Sequence, residues 1–101
     1  MERTEGRVLD VFVDADGCPV KEEVYRVARR YGLTVYVVSG RPIGVPSEPW
    51  VRPVAVGGRF DAADDWIAER AGPGTVVITG DILLADRCLK AGATAIGHNG
   101  K

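Results

Sequence analysis

Histidine occurs once in this sequence, as His98, and cysteine only twice, as Cys18 and Cys88. The two thiols lie far apart and form no Cys-x-x-Cys pair. Zinc sites need clustered nitrogen and sulfur donors, so none is indicated. Both thiols are expected to be reduced rather than bridged, and His98, in the tail, to face solvent. No apolar run approaches the ~18–20 residues that a membrane helix requires. Residues 1–7 are polar and lack the apolar core of a secretory signal. These absences set the expectation of a cytoplasmic protein with no membrane partner. Charge of neither sign dominates, with 13 Lys and Arg against 14 Asp and Glu for a formal net charge of −1. The chain as a whole is therefore not drawn to nucleic acid, and a surface for it would have to be a local basic patch.

What is present is enough apolar material for one core. At 101 residues and 46% hydrophobic, residues 1–101 read as a single domain with no room for a second. Residues 8–13 are mostly β-branched or aromatic and stop at Asp14-Ala15-Asp16-Gly17-Cys18-Pro19, which predicts a strand, an acidic turn and the start of a helix. Pro19 suits a first helical turn. Val20, Val24, Val27, Ala28 and Tyr31 then recur at helical spacing opposite Lys21, Glu22, Glu23, Arg26, Arg29 and Arg30, and Gly32 ends the pattern. Residues 35–38 predict a central strand, apolar on both faces. Residues 39–49, with two glycines and three prolines, predict a long loop able to contact substrate. Residues 51–56 predict a strand that Pro53 assigns to an edge.

Further on, Asp61 is a good N-cap for a helix carrying Ala63, Trp66, Ile67 and Ala71, and Gly72-Pro73-Gly74 closes it. Residues 76–79 predict a strand, 82–91 a helix ended by Gly92, and 94–96 a short last strand. The order β-α-β-β-α-β-α-β predicts an α/β three-layer sandwich around a mostly parallel five-stranded sheet, order 3-2-1-4-5, with helices on both faces. The link from the second strand to the third reads equally as a crossover or a hairpin. In that order the chain changes direction between strands 1 and 4, and ligands of open α/β sheets bind beyond the strand ends at such a switch point.

Acidic residues gather where that switch point is expected. Asp14, Asp16, Asp61, Asp64 or Asp65, Asp81 and Asp86 each follow a strand end or lie in the first turns of the next helix. All should therefore occupy one rim of the sheet. An all-oxygen donor set suits Mg2+ or Mn2+, which take one or two carboxylates together with waters and phosphate oxygens. Such ions acidify bound water and clamp a phosphoryl displacement. Asp61 and Asp64 also suit helix capping, while Asp65 and Asp86 suit solvated helix positions. Asp14 and Asp81 follow apolar strands directly, with turn chemistry as their competing role. Cys18 resembles a nucleophile at a helix N-terminus, but no arginine follows it closely and Asp16 would raise its pKa, which favours a structural thiol. Phe12, Tyr25 and Trp66 read as packing residues, and Trp50 as an edge-packing residue able to stack on a base. Arg26, Arg29, Arg30, Arg41, Arg52 and Arg59 are candidates for a basic rim.

Three segments, Val13-Asp14-Ala15-Asp16-Gly17-Cys18-Pro19-Val20-Lys21, Phe60-Asp61-Ala62-Ala63-Asp64-Asp65-Trp66-Ile67 and Val77-Ile78-Thr79-Gly80-Asp81-Ile82, resemble in content and order the bacterial YaiI/YqxD (DUF188) family. The resemblance covers about residues 8–96. Members usually continue beyond the point where this chain stops, so the domain is short at its C-terminus relative to them. The resemblance implies a PIN-like fold and a metal-dependent ribonuclease with RNA as partner. It implies Asp14, Asp64 and Asp81 as metal ligands, Asp16 and Asp61 as supporting acids, and Asp14 and Asp81 as the catalytic pair. Gly17, Gly80 and Leu83 depart from the usual Ala, Ala and Pro. Two other functions fit the pattern. One is a haloacid-dehalogenase-type phosphatase, with Asp14 as nucleophile, Asp16 as acid/base, Ser39 after the second strand, and Asp81 and Asp86 as further acids. Cys18 stands where that class has Thr, and no lysine is suitably placed. The other is a metal- or RNA-binding module without catalysis.

Overall fold

A computed structural model of the chain describes residues 10–16, 22–57 and 61–97. Its strands are β1 (Asp10–Asp14), β2 (Thr34–Ser39), β3 (Val51–Ala55), β4 (Thr75–Ile78) and β5 (Thr94–Ile96). The helices are α1 (Glu22–Tyr31), α2 (Ala62–Arg70) and α3 (Ile82–Lys90). The five strands form one sheet in the order β3-β2-β1-β4-β5, and every pair is parallel. The expected α/β sandwich and strand order are therefore present. The link between β2 and β3 is a crossover without a helix, since the two strands run parallel. Pro53 sits on β3, an edge strand, where a missing N–H removes no ladder bond from the interior.

Strand parity decides which side chains meet which helices. Phe12, Val38 and Val77 lie on one face with Ala63 and Ile67 of α2 and Leu84 and Cys88 of α3. Phe12 sits edge-on to Tyr36 and to Trp66, each at 5.4 Å between ring centroids. Val11, Val13, Val35, Val37 and Val51 lie on the other face with Ala28 of α1. Trp50 packs at that edge, 6.5 Å from Tyr25 between centroids. Cys88 is buried and free, and burial pushes its thiol pKa up. No helix among the described residues is long and apolar enough to cross a membrane.

Several expectations need revision. The first strand was expected to stop before Asp14, but β1 includes it. Asp61 stands at the N-cap of α2, yet its side chain makes no capping hydrogen bond. Among the described residues, Asp81 at the head of α3 does cap its helix. Asp86 is not part of the rim chemistry; it faces solvent and pairs with Lys90 one turn on, at 2.9 Å. Asp65 pairs with Arg87 of α3 at 3.3 Å. On α1 only Ala28 of the expected apolar stripe is buried, whereas Val27 and Tyr31 are 49% and 66% exposed. Gly17, Cys18, Pro19, Val20, Lys21, Arg59, Phe60 and His98 lie outside the described residues.

Candidate functional site

The parallel register pairs Val13 of β1 with Ile78 of β4, so the next residues, Asp14 and Thr79, arrive at one level on the C-terminal rim. Asp14 shares the parity of Phe12 and therefore points into the layer of α2 and α3. It is 1% exposed, and its Oδ2 accepts a hydrogen bond from Thr79 Oγ1 at 2.7 Å. The same hydroxyl oxygen accepts from the Asp81 backbone N–H at 2.9 Å. Asp81 Oδ1 in turn accepts from the N–H groups of Leu83 and Leu84, at 2.9 and 3.3 Å. A continuous chain of bonds thus runs from β1 through the Thr79-Gly80-Asp81 turn into the N-terminus of α3. A carboxylate at that position also meets the positive end of the helix dipole.

Asp64, in the first turn of α2, joins the group from the opposite helix. Burial, then the neighbouring charges of Asp14 and Asp81, then a side-chain hydrogen bond with Asp81, and lastly the charge of Asp61 raise its pKa to about 6. Asp14, Asp64 and Asp81 therefore form one electrostatic unit in which a proton is retained well above the usual carboxylate range. Asp61 takes part through its charge alone. Asp16 faces another way: its Oδ2 accepts from the Gly40 N–H at 2.7 Å and ties the loop after β1 to the loop after β2. Nearby, the buried Ser39 donates its hydroxyl to the Arg41 carbonyl.

The chemistry of this donor set suits a hard divalent cation, because every side-chain donor is oxygen. No three His, Cys, Asp or Glu side chains among the described residues form a group able to hold a metal by themselves. No buried side-chain nitrogen or oxygen among them lacks a partner either. An ion there would have to be carried by one or two carboxylates with water and phosphate oxygens, and not by a protein cage. Of the sequence-derived acids, Asp14, Asp64 and Asp81 come together, Asp61 lies beside them, and Asp16 serves the loop contact. The expected basic rim does not assemble among the described residues. Among Arg26, Arg29, Arg30, Arg41 and Arg52, only Arg41 follows the C-terminal end of a strand.

Two residues of the rim were not anticipated. Thr79 stands in the sequence only as part of the segment Val77–Ile82, and its signal is the pairing of a Thr-x-Asp turn with a strand register that delivers Asp14 opposite it. Gly40 was assigned to a loop; a Cβ there would lie 3.2 Å from Asp16 Oδ2, a contact no sequence pattern announces.

Comparison with known proteins agrees with the motifs. A family model described as "Uncharacterized BCR, YaiI/YqxD family" matches residues 12–101. A UPF0178 protein of Rhodopseudomonas palustris (strain HaA2) is 55% identical over 98 residues, which are 97% of this chain and 60% of the relative. A UPF0178 protein of Bradyrhizobium sp. (strain ORS 278) is 57% identical over 98 residues, again 97% and 60%. One of Nitrobacter winogradskyi (strain Nb-255) is 59% identical over 93 residues, 92% of this chain and 59% of the relative. The chain thus spans about 60% of the length of these relatives. No solved structure matches it.

Proposed function

The chain belongs to the YaiI/YqxD family, and from that premise and the acid rim we propose that it is a PIN-like, divalent-metal-dependent hydrolase of RNA phosphodiesters in the cytoplasm. The observation that carries the reading is the convergence of Asp14, Asp64 and Asp81 at the switch point between β1 and β4, with Asp64 titrating near 6. Acids that resist ionising together lower their free energy by sharing a proton or by taking up a cation.

One or two of Asp14, Asp64 and Asp81 would hold Mg2+ or Mn2+, with water and phosphate oxygens as its other ligands. When bound, the ion supplies an acidified water and neutralises charge on the phosphodiester. The chain's own residues do the rest. Thr79 holds the buried Asp14 through its hydroxyl. Asp64 must give up its proton before it can act as a ligand. Asp81 is oriented by two N–H groups of α3, and the same proton loss from Asp64 would release the Asp64–Asp81 hydrogen bond. Asp16, through Gly40, holds the loop after β2 against the rim, where Arg41 offers a cation to a phosphate.

A module that binds metal or RNA without turnover is the second reading. It is favoured by the engagement of Asp14 Oδ2, Asp16 Oδ2 and Asp81 Oδ1 in hydrogen bonds within the protein. The phosphatase reading has less support, because Cys18 stands where that class has Thr and no lysine is suitably placed.

The test is incubation with single-stranded RNA, with and without Mn2+, beside Mn2+ titration of the protein and of its Asp14→Asn and Asp81→Asn variants. Metal-dependent cleavage that both variants lose supports the nuclease. RNA retention without cleavage favours the binding module, and phosphomonoester turnover with an aspartyl intermediate at Asp14 favours the phosphatase. Equal Mn2+ binding by all three proteins overturns the site.

A further inference from the structure

On the α1 side of the sheet, α1 covers β1 and β2, but nothing among the described residues covers β4 and β5. Val76 and Ile78 of β4 and Ile96 of β5 line a cavity of about 720 Å3 there, together with Val11 of β1 and the exposed Val27 and Tyr31 of α1. The connections explain the gap. α1 joins strands running one way across the sheet, β1 to β2, whereas α2 and α3 join strands running the other way, β3 to β4 and β4 to β5. Crossovers of one hand that run in opposite directions place their helices on opposite faces. No connection within these five strands can therefore bring a helix over β4 and β5 on the α1 side.

Parallel strands are nearly always covered by helices on both faces. β4 and β5 side by side occupy about 10 Å, the width of one helix. The matched stretch is 60% of the Rhodopseudomonas palustris relative, so two-fifths of that relative lie outside it. We propose that this groove seats an amphipathic helix drawn, in the longer relatives, from the part of their length that this chain does not span. Its apolar stripe would lie along Val76, Ile78 and Ile96. A basic residue at its edge would meet Glu23, the charged residue at the mouth of the groove.

The test is titration of the methyl-labelled 101-residue chain with synthetic peptides tiling the unmatched portion of that relative, followed by NMR. The expected result is that one peptide becomes helical and shifts the methyl signals of Val27, Val76, Ile78 and Ile96. Val27→Asp and Tyr31→Asp should each weaken it about tenfold or more, as expected for an unpaired carboxylate set against an apolar face. Both positions are exposed, and unchanged signals from the core around Phe12 verify that the variants remain folded. Three results would overturn the proposal. One is that no peptide moves the groove signals, or that both variants bind as the parent does. Another is that the free chain already shows contacts from the groove methyls to residues 1–9 or 98–101. The third is that the groove shifts track protein concentration, which assigns it to a second copy.

Discussion

Thr79 Oγ1 donates a 2.7 Å hydrogen bond to Asp14 Oδ2, joining β4 to β1 at the one place on the sheet where the chain reverses its direction of travel. Both side chains are almost fully buried, so the bond lies where water cannot replace it. The same hydroxyl accepts from the Asp81 N–H, which makes Thr79 the joint between the acid of β1 and the cap of α3.

Thr79→Val keeps the shape of the side chain and removes both bonds. A buried polar group deprived of its partner costs about 1–3 kcal/mol, more when it is charged, so the variant should lose about 2–4 kcal/mol in urea unfolding. Thr79→Ser retains the oxygen and should recover most of that loss. A loss in Thr79→Ser with little or none in Thr79→Val would show that the methyl, and not the hydroxyl, carries the effect.

Asp64 makes stability depend on pH in a defined direction. Its folded pKa, about 6, stands above its ordinary value of 3.8. The folded state therefore holds the proton more tightly than the unfolded chain does. The stabilisation this brings is complete below the unfolded pKa and is lost as pH rises through 6. Asp64→Asn, which cannot ionise, should be more stable than the parent at pH 7–8. Solvent screening at this partly exposed group brings the difference to about 1 kcal/mol. The two thermal unfolding curves should converge toward pH 4. A difference that stays constant with pH would rule out ionisation as its origin.

The fold was legible because its signals are periodic and local: β-branched runs for the strands, helical spacing for the helices, and Pro53 for the edge. Strand order followed from connection rules applied to those elements. The site was legible at the level of which acids meet, since β1 and β4 must deliver Asp14 and Asp81 together. Individual roles were not, because they depend on register and rotamer. Asp61 has the sequence of a cap and makes no capping bond, while Asp81 caps α3 and leans on Thr79. Asp16 is separated from Asp14 by Ala15 alone, yet it spends an oxygen on Gly40, which is remote in sequence. Periodicity also marks Val27 and Tyr31 as core residues, because a helical stripe reports only what could be buried and not whether a partner arrives to bury it.

The Asp16–Gly40 contact predicts a steric coupling. A Cβ at residue 40 would stand 3.2 Å from Asp16 Oδ2, tighter than an ordinary van der Waals contact, while the backbone N–H is already committed to that oxygen. Gly40→Ala should therefore lower the unfolding midpoint in the parent and do so much less when Asp16 is Ala. A double-mutant cycle should return a coupling of about 0.5–1 kcal/mol, typical of residues in direct contact. Additive effects would mean that the loop accommodates the methyl without involving Asp16.

Asp81 offers the separation of structure from chemistry that the acid rim needs. Its Oδ1 caps α3 through Leu83 and Leu84, and an amide oxygen can accept the same two bonds. Asp81→Asn should therefore keep the unfolding midpoint close to that of the parent, whereas Asp81→Ala should lose about 0.5–2 kcal/mol, the usual cost of an N-cap. Removing the charge also removes a like-charge neighbour of Asp64, so its pKa should fall from about 6 toward the ordinary carboxylate range in Asp81→Asn, a shift that carbon NMR of the carboxyl would follow. If the rim takes up a divalent ion, Asp81→Asn should weaken Mn2+ binding while leaving stability intact. A variant that is stable, shows the lowered Asp64 pKa and still binds Mn2+ as the parent does would confine Asp81 to capping and leave Asp14 and Asp64 as the residues to test for the ion.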